Sequence, residues 1–499
     1  MAKLKHNIIY NFLGSAWFGL LTLAVTPVQV HYLGVEAFGF VGIIAILQVL
    51  LGTLDLGISA TVTKVISSDH SAQHLASADA INTASTLYWV IALLIALLLW
   101  LNADGIAQYW LNRTHLDLAT VSLGMQIIAL YLGLRWPVAF YTGVITGMQR
   151  LDVLNIIKAG VHSLRLLGGV VVLIITPDLI IFLLWFAFSS GVELLVYAVM
   201  AYRLYPNLKI RPFLSLEALK NIWRYSAMMN AIALLGLLLS QADRLAVTQF
   251  LSLESLGYYA IAYNASIAIA LIQGAINGAS FPAFAQAFSS GQHKELVSHY
   301  DRVSELTALV VTLPCFMLIF FGHDILQLWI NAKVADEAST AMAWLALGFF
   351  LNALVSNAYM AAMACGQPRL PLLVSLVALI VYAPALYWLV HRFGINGAAM
   401  AYAGLNLLYV LTLIPMVQNK VIGQTVKMWI RANVSPFLLA ALVGLGSAKI
   451  LISFVTSGWL AVLLMISGVV LYAILAWHWQ SPALRAIFLG MLQRPGFLR

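Results

Sequence analysis

The sequence predicts an all-α polytopic membrane protein with about fourteen transmembrane helices. Three features of the composition predict a membrane protein: 62% of the residues are hydrophobic, only 9% are charged, and the mean hydropathy is +0.94. A soluble protein carries about a quarter of its residues as Asp, Glu, Lys and Arg. A chain with so few charged residues cannot cover a water-facing surface, which excludes the ordinary soluble classes of protein.

The predicted helices follow from the apolar runs. A helix needs about 20 apolar residues to cross a bilayer, and all spans should be helical because lipid offers the backbone no hydrogen-bond partners. Cutting the chain at charged and turn-rich breaks gives segments at about 8–32, 37–61, 82–102, 118–145, 153–175, 179–202, 225–250, 256–282, 303–321, 339–363, 371–390, 397–418, 435–455 and 459–477. We expect the first segment to be a retained span, because its apolar run continues to Tyr32 without a small-residue cleavage site.

The Lys and Arg residues of the loops predict the orientation. Of the 26 Lys and Arg residues, three lie deep inside predicted spans. If the N-terminus is inside, four lie on the outer side and the other nineteen on the cytoplasmic side. The outer four are Arg113, Lys333, Arg392 and Lys449. Both termini are therefore expected to face the cytoplasm, and the net charge of +8 is a topology signal that needs no nucleic-acid partner.

A weak internal repeat predicts two related halves. LGVEAFGF at 33–40 aligns with LSLESLGY at 251–258, and each stretch follows the first segment of a half. This predicts an N-terminal lobe at 1–215 with segments one to six and a C-terminal lobe at 216–420 with segments seven to twelve. The axis relating them would run along the membrane normal. Residues 421–499 would then form a C-terminal helical hairpin and a cytoplasmic tail.

The loops carry no signature of an ATP-driven pump, and they lack the large outer loop expected of a membrane glycosyl ligase or polymerase. The motifs G-x-x-x-x-G-K-[ST], H-E-x-x-H and G-x-S-x-G do not occur. Cys315 and Cys365 lie in or at the end of apolar segments without metal-ligand spacing, so neither a metal nor a cofactor is expected. The longest loop contains PFLSLEALKNIWR at 212–224, which predicts a short amphipathic helix on the inner membrane surface.

Ionisable side chains inside the apolar segments are the candidate functional residues. A charge near the bilayer centre costs about 2.5–3.5 kcal/mol on insertion scales, and such residues usually face a cavity or pair with one another. His162 joins them because histidine titrates near neutral pH. The charged members of the set are Asp55, Arg135, Arg165, Glu193, Asp243 and Arg244.

Lys158, His162 and Arg165 share one narrow stripe of the fifth segment. At about 100° per residue, His162 lies about 40° and Arg165 about −20° from Lys158, and the three span roughly 10 Å from the cytosolic edge inward. Two interpretations stay open for Lys158 and His162, since the lysine can snorkel to the inner surface and the histidine can be a packed polar group. If all three line a cavity, they suit a diphosphate, because guanidinium binds phosphate bidentately and lysine adds a point charge.

The other charged groups are expected around the same cavity. Arg135 lies mid-span beside a proline that interrupts its helix, while Asp243 and Arg244 point about 100° apart and cannot simply pair. The acids Asp55, Glu193 and Asp243 have two open roles: ion pairs that neutralise buried cations, or coupling of transport to a proton or another cation. Polar side chains that could line the same space are Gln29, His31, Asn230, Gln241, Gln273 and Asn277.

Several motifs resemble those of one transporter family. They are an outer L-G-x-E-x-F-G turn at 33–39, LDLGIS at 54–59, GMQRLDVLN after segment four, ADRLAVTQFLSLESLGYYAIAY across segments seven and eight, GQPRL after segment ten and FGINGAA before segment twelve. Over about the first 420 residues the chain resembles the Wzx-type polysaccharide and O-antigen flippases. These belong to the multidrug/oligosaccharidyl-lipid/polysaccharide exporter superfamily.

The resemblance implies two six-helix lobes around a central cleft that opens alternately to either side of the bacterial inner membrane. The implied cargo is an undecaprenyl-diphosphate-linked oligosaccharide for lipopolysaccharide or related polysaccharide synthesis, flipped outward in exchange for a proton or a sodium ion. Lys158, His162 and Arg165 would guide the diphosphate, with Arg135 and Arg244 around the same cavity. The lipid tail would stay among the membrane lipids, and a polysaccharide polymerase would be a possible partner.

Three alternatives stay open. A multidrug or cation antiporter of the same superfamily would favour an acidic, aromatic cavity. Fourteen segments exceed the twelve that are common in the family, which leaves room for a flippase of a lipid-linked peptidoglycan precursor. A scaffold that transports nothing would tolerate neutralisation of Arg165 and Arg244, whereas a diphosphate carrier should fail.

Overall fold

The computed structural model describes residues 2–53, 55, 57–67, 74–206, 212–215, 235–455 and 458–486. Within these ranges the chain is helical almost throughout, and the one β-type pairing is an isolated bridge between Asn112 and Ser252. Eleven helices among the described residues are long and apolar enough to cross a membrane. The prediction of an all-α polytopic membrane protein is confirmed.

The predicted number of about fourteen spans is not confirmed. The eleven spanning helices account for every predicted segment except the first and the seventh, and segments eleven and twelve lie together in Arg369–Ile422. The first segment lies within the helix Ala2–Leu33, whose side chains are described only from Trp17 onward. The seventh segment begins outside the described residues, as does most of the amphipathic helix predicted at 212–224.

The chain divides into two compact units, Met1–Ala260 and Ile261–Arg499, which are called the N-terminal and the C-terminal unit below. The lobe boundaries after residues 215 and 420 stay a prediction. The helices of the N-terminal unit, with the start of α10, are α1 (Ala2–Leu33), α2 (Val35–Thr53), α3 (Ile58–Ser67), α4 (His74–Leu101), α5 (Leu118–Arg135), α6 (Val138–Gly147), α7 (Leu151–Ile175), α8 (Leu179–Leu204), α9 (235–250) and α10 (Leu253–Ser289).

Two breaks between consecutive helices of the N-terminal unit position charged side chains. Between α2 and α3 lies Asp55, followed by Gly57 with a φ of +74°, a left-handed conformation that glycine adopts without strain. Between α5 and α6 lies Pro137, which has no N–H to continue the helical ladder. Asp55 and Arg135 therefore lie beside helix ends within apolar stretches of the chain.

An apolar core fixes the helices around these two breaks. It is built from side chains of α3, α4, α6, α7 and α8. Tyr88, Phe140 and Val144 are almost completely buried within it. Interiors packed in this way allow little movement of the backbone, so the core holds α4 and α6 at fixed positions beside Asp55 and Arg135.

The two repeated stretches pack against each other within the N-terminal unit. A Cβ atom on Gly39 would overlap the carbonyl oxygen of Leu253, and a Cβ atom on Gly257 would overlap the carbonyl oxygen of Val35. Val35 and Leu253 hold equivalent positions in the repeat, so the contact is reciprocal. Only glycine allows this close backbone approach, which explains the glycine that both stretches share.

The C-terminal unit takes up the rest of α10 and five further elements. The longest of them bends at Gly394, whose φ of +59° and ψ of −135° are not helical, and this bend separates predicted segments eleven and twelve. The last two helices of the unit pack on each other and on the one that follows α10. The five elements are α11 (His293–Trp329), α12 (Ala332–Ala364), α13 (Arg369–Val417), α14 (Val426–Ile452) and α15 (Gly458–Trp479).

Candidate functional site

A cluster of three charged residues lies between α5, α7 and α8, and it is called the ionic cluster below. Oε2 of Glu193 on α8 binds Arg165 on α7 at 2.6 Å and also accepts a hydrogen bond from Arg135 at the end of α5. Charges within a span usually pair with one another, and these three do so. Two guanidinium groups share one carboxylate, which leaves the ionic cluster with a net positive charge.

Arg165 forms the buried centre of the ionic cluster, since only 5% of the residue is exposed. Its Nε donates to Ser189 Oγ at 2.9 Å, and its Nη2 donates to Ser190 Oγ at 3.2 Å. Its guanidinium carbon lies 5.3 Å from the centre of the Tyr131 ring, a cation–π contact. With Glu193 as a further partner, three of the five N–H groups of the Arg165 guanidinium are engaged within the ionic cluster.

Arg135 connects the ionic cluster to a cavity of about 350 Å³ in the N-terminal unit. Its side chain is 34% exposed, in contrast to that of Arg165. The walls of the cavity come from α2, α4, α5 and α6 and from the two helix breaks, and most of them are apolar. The polar side chains on the walls are Gln48, Asp55, Tyr88 and Arg135.

Asp55 lines the same cavity from the break between α2 and α3. Its carboxylate accepts a hydrogen bond from the hydroxyl of Tyr88 and another from Ser59 Oγ at 2.6 Å. Both partners are neutral hydroxyls. Asp55 therefore differs from Glu193, whose charge is compensated by two guanidinium groups.

The predicted cationic stripe on α7 has members in three different surroundings. Lys158 is exposed, and His162 is half-buried with its ring stacked on Phe18 of α1 at 3.8 Å between centroids. Arg165 belongs to the ionic cluster. The structure thus brings Arg165 together with Arg135, and it does not place Lys158 or His162 among the hydrogen bonds described for the cluster. Guidance of a diphosphate by Lys158 and His162 stays a prediction.

Asp243 and Arg244 lie on α9 and are not among the side chains that line this cavity. Asp243 is fully buried and accepts a hydrogen bond from the hydroxyl of Tyr259 at 2.5 Å. Arg244 is buried as well, at 8% exposure. The role predicted for each of them therefore stays untested by the geometry of the ionic cluster.

The remaining polar side chains predicted to line a cavity have separate locations. Gln29 and Gln241 are buried in the N-terminal unit, whereas His31 is exposed and packs edge-on against its neighbour Tyr32. Asn230 lies outside the described residues. None of the described three lines the cavity beside Arg135.

A group of neutral side chains links α10, α11 and α12 in the C-terminal unit, and it is called the amide network below. Gln273 Nε2 donates to Asn277 Oδ1 at 2.8 Å and to Asn357 Oδ1 at 3.0 Å. Asn277 Nδ2 donates to Ser356 Oγ at 2.5 Å, and Asn357 Nδ2 donates to Thr307 Oγ1 at 3.1 Å. The two predicted members, Gln273 and Asn277, thus come together with three others in a network without charge.

Sequence reasoning did not single out the neutral groups that complete the ionic cluster and the cavity. Ser189 and Ser190 lie four and three residues before Glu193, a spacing that places them on the face of α8 that carries the carboxylate. Gln48 and Tyr88 are hydrogen-bonding groups within apolar runs. Helical spacing to Glu193 would have predicted the two serines, whereas Gln48 and Tyr88 have no charged residue three or four positions away.

Residues 4–288, more than half of the chain, match the family model described as polysaccharide biosynthesis protein. The chain belongs to this family. A second family model, MatE, matches residues 230–388. The resemblance seen in the motifs is confirmed, and the chain is a membrane transporter of the multidrug/oligosaccharidyl-lipid/polysaccharide exporter superfamily rather than an enzyme.

Known relatives and solved structures agree with this assignment. A putative O-antigen transporter of Shigella flexneri is 22% identical over 405 residues, which cover 80% of this chain and 93% of the relative. The lipid II flippase MurJ in its inward closed conformation matches with a TM-score of 0.77 at 13% identity, covering 98% of this chain and 100% of that one. An inward-facing multidrug resistance MATE family transporter matches with a TM-score of 0.65 at 13% identity, covering 82% and 99%. At such identities the structural matches show a shared fold.

Proposed function

We propose that this protein flips an undecaprenyl-diphosphate-linked oligosaccharide from the inner to the outer leaflet of the bacterial inner membrane by alternating access. The observation that carries the proposal is the ionic cluster, in which a net positive charge reaches an apolar-walled cavity through Arg135. A guanidinium group in such a setting suits phosphate attached to a lipid. The similarity to the putative O-antigen transporter of Shigella flexneri supports the same class of cargo.

The geometry of the ionic cluster suggests how the cargo is held and released. Arg135 is the accessible cation, and the diphosphate would compete with Glu193 for its guanidinium. Glu193 keeps its bond to Arg165 when Arg135 turns to phosphate, so no buried carboxylate is left without a cation. The competition keeps the affinity for diphosphate modest, which a carrier requires in order to release its cargo.

We assign coupling to a proton or a sodium ion to Asp55. Glu193 is committed to two arginines, whereas the described partners of the Asp55 carboxylate are the hydroxyls of Tyr88 and Ser59 and the backbone N–H of Ser59. A carboxylate in that position can bind a cation without breaking an ion pair. The expected setting is the inner membrane with both termini cytoplasmic, beside the polysaccharide polymerase machinery.

The decisive test is the substitution Arg135→Gln in cells that depend on this protein for polysaccharide export. Charge-assisted hydrogen bonds contribute about 1.5–3 kcal/mol, so we expect export to fall at least about tenfold. Lipid-linked oligosaccharide should accumulate in the cells, as measured by mass spectrometry of extracted lipids. The matched control is Arg150→Gln, which removes an exposed arginine that pairs with Asp152 at 2.9 Å. Normal export by the Arg135 variant would overturn the proposal.

A second candidate function is multidrug or organic-cation antiport. Asp55, Tyr88 and Trp136 give the cavity an acidic and aromatic side, which suits an organic cation. The variant Arg135→Gln distinguishes the two functions. A drug exporter would lose resistance with Asp55→Asn and keep it with Arg135→Gln, whereas a diphosphate carrier would lose export with Arg135→Gln.

The same mass spectrometry of extracted lipids distinguishes two further alternatives from the proposed function. A flippase of peptidoglycan precursors would accumulate a lipid intermediate that carries a peptide, and the mass spectrum would show it. A scaffold without transport activity would accumulate no intermediate when Arg165 or Arg244 is neutralised, provided that the variant is present in the membrane at the normal level.

A further inference from the structure

We propose that the amide network and the adjoining glycine face of α10 bind the hydroxyl groups of a neutral oligosaccharide. The inference rests on the proposed function, in which the cargo is a lipid-linked oligosaccharide. The ionic cluster suits the diphosphate of that cargo but not its sugars. It adds a second, separate binding surface in the C-terminal unit with its own chemistry.

The position of the amide network calls for an explanation. Gln273 and Asn277 lie near the middle of the 37-residue helix α10, where water is scarce and unmet polar groups are costly. Most groups of the network satisfy one another. However, Oε1 of Gln273 is buried without a hydrogen-bond partner among the described residues, so the network retains one acceptor that a hydroxyl donor could use.

Some side chains of the amide network and one beside it are accessible at the surface of the C-terminal unit. Asn277 and Ser356 are only half-buried. Asn352 lies one helical turn before Ser356 on α12 and is exposed, while its Nδ2 donates to Asn406 Oδ1 at 2.8 Å. Carboxamide and hydroxyl groups both donate and accept hydrogen bonds, as sugar hydroxyls do. These accessible groups therefore match the hydrogen-bonding pattern of a saccharide.

Two glycines make the neighbouring surface of α10 unusually bare. Gly274 and Gly278 are exposed, and a Cβ atom on either would meet no atom within 4 Å. They lie about 60° and about 100° around the helix from Asn277. Glycine inside a helix costs roughly 0.5–1 kcal/mol relative to alanine, and here no packing contact within the described residues requires it. Bare backbone beside an amide instead allows a bulky ring to approach closely.

The absence of charge from the amide network sets the class of ligand. Its five members are carboxamides and hydroxyls, which carry no charge to attract a phosphate. Among the described residues, the ion pairs that involve a buried carboxylate are those of the ionic cluster in the N-terminal unit. The amide network therefore suits sugar hydroxyls and does not suit phosphate.

The test measures binding of two probes to the full-length protein in lipid nanodiscs. One probe is undecaprenyl diphosphate without sugar, and the other carries a neutral oligosaccharide on the same lipid. The variants are Gly274→Leu and Gly278→Leu, which cover the bare face with a side chain. We expect each to weaken binding of the glycan-bearing lipid about tenfold and to change binding of the sugar-free lipid by less than about twofold.

The control variant places the same side chain on the opposite face of the same helix. Ala265 lies about 180° from Gly274 and lines an apolar groove of about 420 Å³ with side chains of α11 and α15. Ala265→Leu should leave the binding of both probes unchanged. Since leucine favours the helix more than glycine does, the glycine variants should fold, and thermal unfolding of each variant checks this.

The outcomes separate this inference from the proposed function. If the unmodified protein binds neither probe, the proposed function fails and the inference fails with it. If it binds both probes equally tightly, or if the glycine variants weaken both equally, the inference is overturned while the diphosphate site stands. Selective loss of the glycan-bearing lipid supports both.

Discussion

The two units of this transporter place polar groups inside membrane-spanning helices in opposite ways. In the N-terminal unit, Arg135, Arg165 and Glu193 are charged and hold one another. In the C-terminal unit, Gln273 and Asn357 belong to a network of neutral groups. Removing one partner of the Arg165–Glu193 pair leaves a buried charge, whereas an amide can exchange one neutral partner for another. The Arg165–Glu193 pair is therefore rigid, and the amide network is adaptable.

Two carboxylates of the C-terminal unit also differ from Glu193 in their hydrogen-bond partners. Glu305 lies near the start of α11 and accepts hydrogen bonds from Ser481, at 2.5 Å from its backbone N and 2.6 Å from its Oγ. Asp301, one turn earlier, accepts from Gln424 Nε2 at 2.9 Å and from Asn433 Nδ2 at 3.0 Å. The described donors to both acids are neutral. These carboxylates fasten α11 to the C-terminal part of the chain and take no part in a cluster like that of Glu193.

The largest effect is expected from Glu193→Gln, which removes the carboxylate that two arginines share. Breaking a buried ion pair by removing one partner costs about 3–5 kcal/mol. We expect a decrease of that size in the free energy of unfolding, measured by denaturant titration in detergent. A decrease below about 1 kcal/mol would contradict the rigid character assigned to the ionic cluster. The double variant with Arg165→Met should recover part of the loss, because it removes one of the stranded charges.

A smaller loss is expected from Asn357→Leu in the amide network. Leucine leaves Gln273 and Thr307 each without one partner, and an unmet buried polar group costs about 1–3 kcal/mol. The same denaturant titration measures the change. A loss as large as that of Glu193→Gln would show that the neutral network is no more adaptable than the charged one.

The substitution Glu305→Gln repeats the Glu193 change in the other unit. The carboxamide oxygen of glutamine can still accept one of the two hydrogen bonds from Ser481, so we expect a loss of about 0.5–1.5 kcal/mol. The comparison of the two Glu→Gln variants in one assay isolates the effect of the cationic partners. Equal losses of unfolding free energy in the two variants would show that the cationic partners of Glu193 make no difference.

The smallest effect is expected from Lys158→Gln. The lysine is exposed at the start of α7, and surface substitutions usually change stability by less than about 0.5 kcal/mol. Thermal unfolding should be unchanged, and export should fall by less than it does with Arg135→Gln. An export defect equal to that of the Arg135 variant would show that the cationic stripe predicted on α7 contacts the cargo directly.

Much of the fold and some of the site could be predicted from the sequence. The apolar runs predicted most of the spans, because a bilayer accepts only helices with satisfied backbones. The exact span count is not confirmed, because segments eleven and twelve lie together in Arg369–Ile422, divided by the bend at Gly394, and segments one and seven are only partly described. The buried charges were visible because each one is an exception to its apolar surroundings.

By itself the sequence determined the membrane class, the family motifs and the positions of the costly charges, since these depend on local composition. Only the tertiary structure decided which charges meet. Glu193 pairs with arginines 58 and 28 residues earlier in the chain, and Arg165 turned out buried while Arg135 opens to a cavity. Helical periodicity sets which residues share a face, but the face that a helix presents to a neighbour depends on how distant segments pack.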